Sequence, residues 1–187
     1  MPKSIDAISY YQATAAPHSN HPALAGDVNA DVCIIGAGFT GLSAALELAQ
    51  AGYRVVVLEA ETVGYGASGR NGGQICTGFS SGQGKIEAQL GKDDARKCFD
   101  LAEESKRLIV DRIAEHMIGC DLVWGYIHAI PKPGQFDGLK EWKDEYDALG
   151  YTDTRIFTKA ELEERLGTRI YYGALRAADP GGTATAA

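Results

Sequence analysis

The 187-residue chain is short of positive charge: 18 Lys and Arg stand against 25 Asp and Glu, a formal net charge of −7. That balance gives no electrostatic support to a nucleic-acid or anionic-membrane partner. Long apolar runs are missing as well, and nothing approaches the ~18 residues needed to cross a bilayer. The opening Met1–Asp6 lacks the continuous apolar segment of a secretory signal. Cysteine is sparse, and Cys33, Cys76, Cys98 and Cys120 form neither a C-x-x-C pair nor a dense disulfide framework. Such usage predicts a cytoplasmic protein with free thiols. His18 and His21 have no cysteine or carboxylate cluster beside them, so no metal site is expected. What remains is a soluble globular composition, 45% hydrophobic and 23% charged, which excludes disorder and fibrous repeats. The length allows one domain, or one and part of a second.

Glycine is the one excess, and it is local: twelve of the 23 glycines fall between Gly36 and Gly84. Glycine serves where backbone turns with positive φ or approaches a ligand closely. Around it the pattern is regular. Val32-Cys33-Ile34-Ile35 has the look of a buried parallel strand. Leu42, Ala45, Leu46 and Ala49 give Thr40–Ala51 one apolar helical face, closed by Gly52. Arg54–Leu58 is a second strand. The unit reads as strand, helix, parallel strand with a right-handed crossover.

Residues 1–30, polar and carrying Pro2, Pro17 and Pro22, read as an irregular arm. Beyond the glycine window, Asp93–Ile118 reads as one long helix. Cys98, Ala102, Ser105, Ile109, Ile113 and Met117 form its apolar spacing, and Glu103, Glu104, Lys106 and Arg107 its solvated side. Leu122–Ile127 is strand-like, Pro131–Gly134 a turn, and Phe136–Leu149 a helix. Thr158–Glu161 has capping-box spacing for a helix that ends at Gly167. Ile170–Leu175 suits another strand. Trp124, Tyr126, Tyr171 and Tyr172 read as packed aromatics rather than pocket walls, and Cys76 as a buried thiol. The domain reading is an arm over 1–30, part of a nucleotide-binding domain over 31–118, and the start of a second domain over 119–187.

The chemistry sits in Gly36-Ala37-Gly38-Phe39-Thr40-Gly41, a G-x-G-x-x-G that directly follows a strand and opens a helix, the context this motif requires. Gly36 serves the tight turn, Gly38 lets a pyrophosphate approach the backbone, and Gly41 lets helix pack on strand. The helix N-terminus supplies the anion site. Glu59 closes the second strand 18 residues after Gly41, where a carboxylate can accept from ribose hydroxyls and repel a 2′-phosphate. A second small-residue loop, Gly64–Gln74, follows. An NAD-binding unit has no standing need for it, whereas a flavin dinucleotide needs close backbone passage for its ribityl chain and ring.

Val32–Ala60 followed by Gly-Ala-Ser-Gly-Arg-Asn-Gly-Gly-Gln resembles the N-terminal part of the D-amino-acid-oxidase-like FAD-dependent oxidoreductases. Within that family it is similar to the gamma-glutamylputrescine oxidoreductase group and its amine-oxidising relatives. Ser9-Tyr10-Tyr11 and Asp179-Pro180-Gly181-Gly182 are similar too. The resemblance implies an α/β fold, a Rossmann-like FAD-binding βαβ with the start of a mixed α+β substrate domain. It implies FAD as cofactor, with Gly36, Gly38, Phe39, Thr40 and Gly41 on the pyrophosphate and Glu59 with Ala60 on the adenosine ribose. Ser68 would offer a hydroxyl to the phosphate, and Arg70, Asn71, Gly72, Gly73 and Gln74 would pass beside the ribityl chain and flavin ring. The implied reaction oxidises an amine or amino acid to an imine, with oxygen reoxidising the flavin to give hydrogen peroxide. It names no catalytic residue.

Family members are roughly twice this length, so the chain is expected to be a fragment without full activity. Two parallel strands alone would leave an apolar edge. Two other readings stay open: an NAD-dependent dehydrogenase, and a non-catalytic nucleotide-binding remnant.

Overall fold

The computed structural model describes residues 8–15 and 21–177; His18 and Asp179–Gly182 lie outside them. The chain divides into two compact units, one running to Gly72 and the other beginning at Gly73.

In the first unit, Ser9 and Gln12 form a reciprocal capping box that starts helix α1 (Tyr10–Thr14). The arm expected to be irregular therefore contains one helical turn, because a capping box satisfies two N-terminal amides locally. Strands β1 (Val32–Ile35) and β2 (Val55–Leu58) pair in parallel, with Val32 opposite Val55 and Ile35 opposite Leu58. Helix α2 (Phe39–Gln50) connects them. The expected burial of both strands is not met. In β1 only Val32 and Ile34 are half-buried, and Ile35 is 88% exposed. Successive side chains of a strand point to opposite faces, so one covering layer buries only every second residue. Asp31 closes the open end of the pair, accepting from the Arg54 backbone and guanidinium.

The second unit opens with helices α3 (Gln83–Leu90) and α4 (Lys92–Glu115), joined at Gly91. The expected long helix is there, with Asp93 and Asp94 in its first turn, but its inner face is rotated from the sequence pattern. Ala95, Phe99 and Lys106 are buried, while Ile109 and Met117 are exposed. Lys106, expected on the solvated side, is 3% exposed.

Strands β3 (Tyr126–Ile130), β4 (Thr154–Thr158) and β5 (Gly173–Ala177) form an antiparallel sheet with β5 in the middle. The first of these starts later than the apolar run 122–127 suggests, because Gly125 takes a φ of 83° immediately before it. Alternation along β5 builds two cores. Leu175 and Ala177 join Phe99, Tyr151 and two residues of α5 (Phe136–Ala148), Leu139 and Tyr146. Ala174 joins Phe157 and Leu162 of α6 (Lys159–Leu166). Helix α6 has the expected Thr158–Glu161 capping box and stops at Gly167 in the left-handed region.

Of the aromatics read as packed, Tyr126 and Tyr171 do pack against these cores, whereas Trp124 is 54% exposed in the loop before β3. The four cysteines carry no disulfide, and Cys76 lies on the surface rather than buried. Among the described residues, no helix is long and apolar enough to cross a membrane.

Candidate functional site

The site is built where β1 runs into α2. Gly36 takes a φ of 98°, which a side-chain-bearing residue rarely adopts, and its N–H donates to Leu58 O at 2.7 Å. The chain thereby turns sharply at the end of β1 while still pinned to β2. Gly41 answers a different need. A Cβ there would lie 2.0 Å from Gly36 O and 3.3 Å from Ile34 Cγ2, so only a bare α-carbon lets the first turn of α2 sit on the strand end.

The N-cap of α2 is Gly38, which offers no side-chain cap, and no acidic residue stands in the first turn. The N-terminal amides of this helix thus keep their positive end of the dipole for something outside the helix. One of them is held by the second glycine loop: Phe39 N–H donates to Ser68 Oγ at 3.0 Å. The same hydroxyl rests against Gly38, where an added Cβ would stand 2.9 Å from Ser68 Oγ.

Glu59 follows the last residue of β2. Its Oε2 accepts from Ala37 N–H at 2.7 Å and its Oε1 from Glu61 N–H at 3.1 Å. These backbone hydrogen bonds hold its carboxyl below the ordinary range, that of Ala37 contributing most, so it is ionised at neutral pH. Each carboxylate oxygen has two acceptor directions, which leaves capacity for a hydroxyl donor beside the backbone amides.

The second loop is braced from within. Gly64 N–H donates to Ala37 O at 2.9 Å, tying the two glycine loops together. Arg70 Nε donates to Tyr65 O at 2.9 Å with its guanidinium 5.0 Å from the Tyr65 ring centroid. Asn71 Nδ2 donates to Ala67 O and Ser68 O. These two side chains, expected beside a ribityl chain, here fix the turn that presents Ser68.

The structure therefore gathers Gly36, Gly38, Phe39, Thr40, Gly41, Glu59 and Ser68 around one helix N-terminus, with Ala60 exposed next in chain. Gly72 ends the first unit, and Gly73 and Gln74 open the second. One participant has no role in the sequence reading: Ala37, 2% exposed and used through both its N–H and C=O. The x in G-x-G carries no side-chain signal for a backbone role.

The donor set fits a dinucleotide. The N-terminal amides of α2, with the Ser68 hydroxyl held by Phe39 N–H, suit a diphosphate, and an ionised carboxylate across the loop suits a ribose diol. The glycines leave the backbone open to close approach.

Residues 31–187 match the family described as DAO, FAD dependent oxidoreductase. The chain is 41% identical over 168 residues to the probable oxidoreductase OrdL of Haemophilus influenzae, covering 89% of this chain and 39% of that protein. It is 36% identical over 167 residues to gamma-glutamylputrescine oxidoreductase of Escherichia coli, with the same coverages. Among solved structures, L-amino acid deaminase from Proteus myxofaciens in complex with anthranilate superposes with a TM-score of 0.65 at 24% identity. That match covers 92% of this chain and 38% of the deaminase. The chain thus spans about two fifths of the length of each of these three proteins.

Proposed function

The chain belongs to the DAO family of FAD-dependent oxidoreductases, and on that premise we propose that it binds FAD through its first unit and serves the oxidation of an amine or amino acid. The observation that carries this reading is the convergence of the Ser68 hydroxyl, the Glu59 carboxylate and the bare Gly38–Gly41 backbone on the N-terminus of α2.

In this reading the amides at Gly38–Gly41 and the Ser68 hydroxyl hold the diphosphate, with the α2 dipole favouring its charge. Glu59, kept ionised by Ala37 and Glu61, accepts from the adenosine ribose and repels a 2′-phosphate, which selects FAD over phosphorylated dinucleotides. Ala60 follows it along the ribose. Arg70 and Asn71 keep the Gly64–Gly72 turn rigid so that Ser68 stays aimed. Gly72, Gly73 and Gln74 continue toward the ribityl chain and ring. When bound, FAD supplies a two-electron oxidation that converts the amine-bearing carbon to an imine for hydrolysis, and the protein's part is to bind and orient it. Oxygen is the proposed final acceptor, with hydrogen peroxide as its product. The gamma-glutamylated diamine named for the Escherichia coli relative and the amino acids named for the deaminase define the substrate class to test. The proposed compartment is the cytoplasm.

The experiment is to add FAD to the purified chain, remove the free cofactor and record the visible spectrum. Retained flavin bands support the cofactor assignment, and a colourless protein contradicts it. Anaerobic addition of gamma-glutamylputrescine, simple diamines and amino acids then tests the substrate class by bleaching of the flavin band. Bleaching by none of them argues that substrate oxidation does not belong to this chain.

A further inference from the structure

The most unusual side chain in the second unit is Lys106. Lysine on a surface helix normally runs its stem along the protein and keeps its ammonium in water. In α4 it does the reverse, with a side chain only 2% exposed. Its Nζ donates to Thr77 Oγ1 at 2.7 Å and to Glu103 Oε1 at 2.9 Å. It also stands 4.9 Å from the centroid of the Tyr151 ring, within cation–π range. Burying an ammonium carries a large desolvation cost, and a well-packed apolar side chain in place of a buried ion pair is often as stable or more so. Stability alone therefore does not account for a charge here. The location of its acceptor does: Thr77 lies three residues after Gln74, in an irregular stretch without helix or strand that ends at α3. Backbone of that kind has few ladder bonds and opens easily unless a side chain holds it.

We infer that Lys106 is a positioning residue that grips Thr77 and so fixes the 73–82 segment, whose first residues, Gly73 and Gln74, are those the FAD reading assigns to the flavin side. The service to the cofactor rests on the FAD reading above; the grip itself does not. Preorganising a ligand-contacting segment lowers the ordering cost of binding. Lys106 thus acts through Thr77, with Glu103 and Tyr151 holding the ammonium where Thr77 can use it.

The test is hydrogen–deuterium exchange on the ligand-free 187-residue chain, paired with FAD affinity. The variants are Thr77→Val, which removes the acceptor and keeps the lysine, and Lys106→Met combined with Glu103→Gln, which removes the charge without stranding a carboxylate. Both are expected to speed exchange across residues 73–82 about tenfold, the effect of losing one charge-assisted hydrogen bond. The amides of β3, β4 and β5 should stay as protected as in the wild type. FAD affinity should fall by a similar factor in each, with no further loss when all three changes are combined. A merely structural lysine would instead raise exchange throughout the second unit and leave Thr77→Val silent, and either result overturns the inference. Faster exchange with unchanged FAD affinity overturns the positioning role. A wild-type chain that takes up no FAD contradicts the cofactor reading and the service of Lys106 to it, while the grip is still decided by exchange.

Discussion

Replacing Gly41 by alanine tests the site at its tightest point. The new Cβ would lie 2.0 Å from Gly36 O, with Gly36 C at 3.2 Å and Ile34 Cγ2 at 3.3 Å. Ordinary contact begins at 3.4 Å, so the helix and the strand end must separate by about 1.4 Å along that direction. Neither side is a flexible side chain. Gly36 is held by its bond to Leu58 O, and α2 starts only three residues after it. Overpacking of this kind costs roughly 1–3 kcal/mol. In a unit this small it lowers the melting temperature by roughly 5–15 °C. The same displacement moves the Phe39 amide away from Ser68, so FAD affinity should fall at least about a hundredfold, as misplaced binding geometry does. The control is Gly134→Ala, outside both glycine loops, where nothing lies within 4 Å of an added Cβ and neither property should change. Thermal melting and FAD titration measure both. A Gly41→Ala chain that melts and binds FAD like the wild type would refute the close-approach argument.

Glu59→Gln keeps the shape of the side chain and removes its charge; FAD affinity should drop about tenfold, the scale of one charge-assisted contact, and discrimination against 2′-phosphorylated dinucleotides should weaken in the same competition assay. Gly173→Ala should cost roughly 1–3 kcal/mol in chemical denaturation, because its Cβ would meet two Phe136 ring carbons at 2.7 Å, while FAD titration is unaffected. Acid should destabilise the chain through four depressed carboxyls. Asp31 is held low by Arg54, Glu59 by the Ala37 and Glu61 amides, Asp137 by Lys140, and Glu161 by Thr158. Depressed carboxyls contribute stability that is complete above the ordinary carboxylate range near pH ~4 and disappears as pH falls through their lower folded values. Melting temperatures should therefore hold from neutral pH to that range and fall below it, and a rise on acidification would contradict the linkage.

The strand–helix–strand order of the first unit is legible because its information is local. Four apolar residues, three spaced glycines, a one-faced helix and a second apolar run fix β1, α2 and β2 within a short stretch, and each residue's reason lies next to it in sequence. Elements that depend on distant partners are not. Strand β4 is five residues carrying Arg155, which pairs with Glu161, and it becomes a strand only because β5 aligns beside it. Helix α3 has a single buried residue, Ile86, and starts at a glycine with positive φ, so its sequence reads as loop. The inward face of α4 was misplaced for a related reason. Hydrophobic spacing assigns Lys106 to water, and only the tertiary positions of Thr77 and Tyr151 turn it inward. Within the site, Ala37 escaped notice because its role lies in its backbone, whereas Gly38, Gly41, Glu59 and Ser68 carry theirs in the presence or absence of a side chain.

The central claim, that the α2 N-terminus with Glu59 and Ser68 holds the adenosine diphosphate half of FAD, is tested most directly by competition. The wild-type chain is titrated with FAD, and ADP or FMN is added as competitor. The account predicts that ADP displaces FAD and FMN does not, because the diphosphate and adenosine ribose make the contacts of the first unit. Displacement by FMN with indifference to ADP would contradict it.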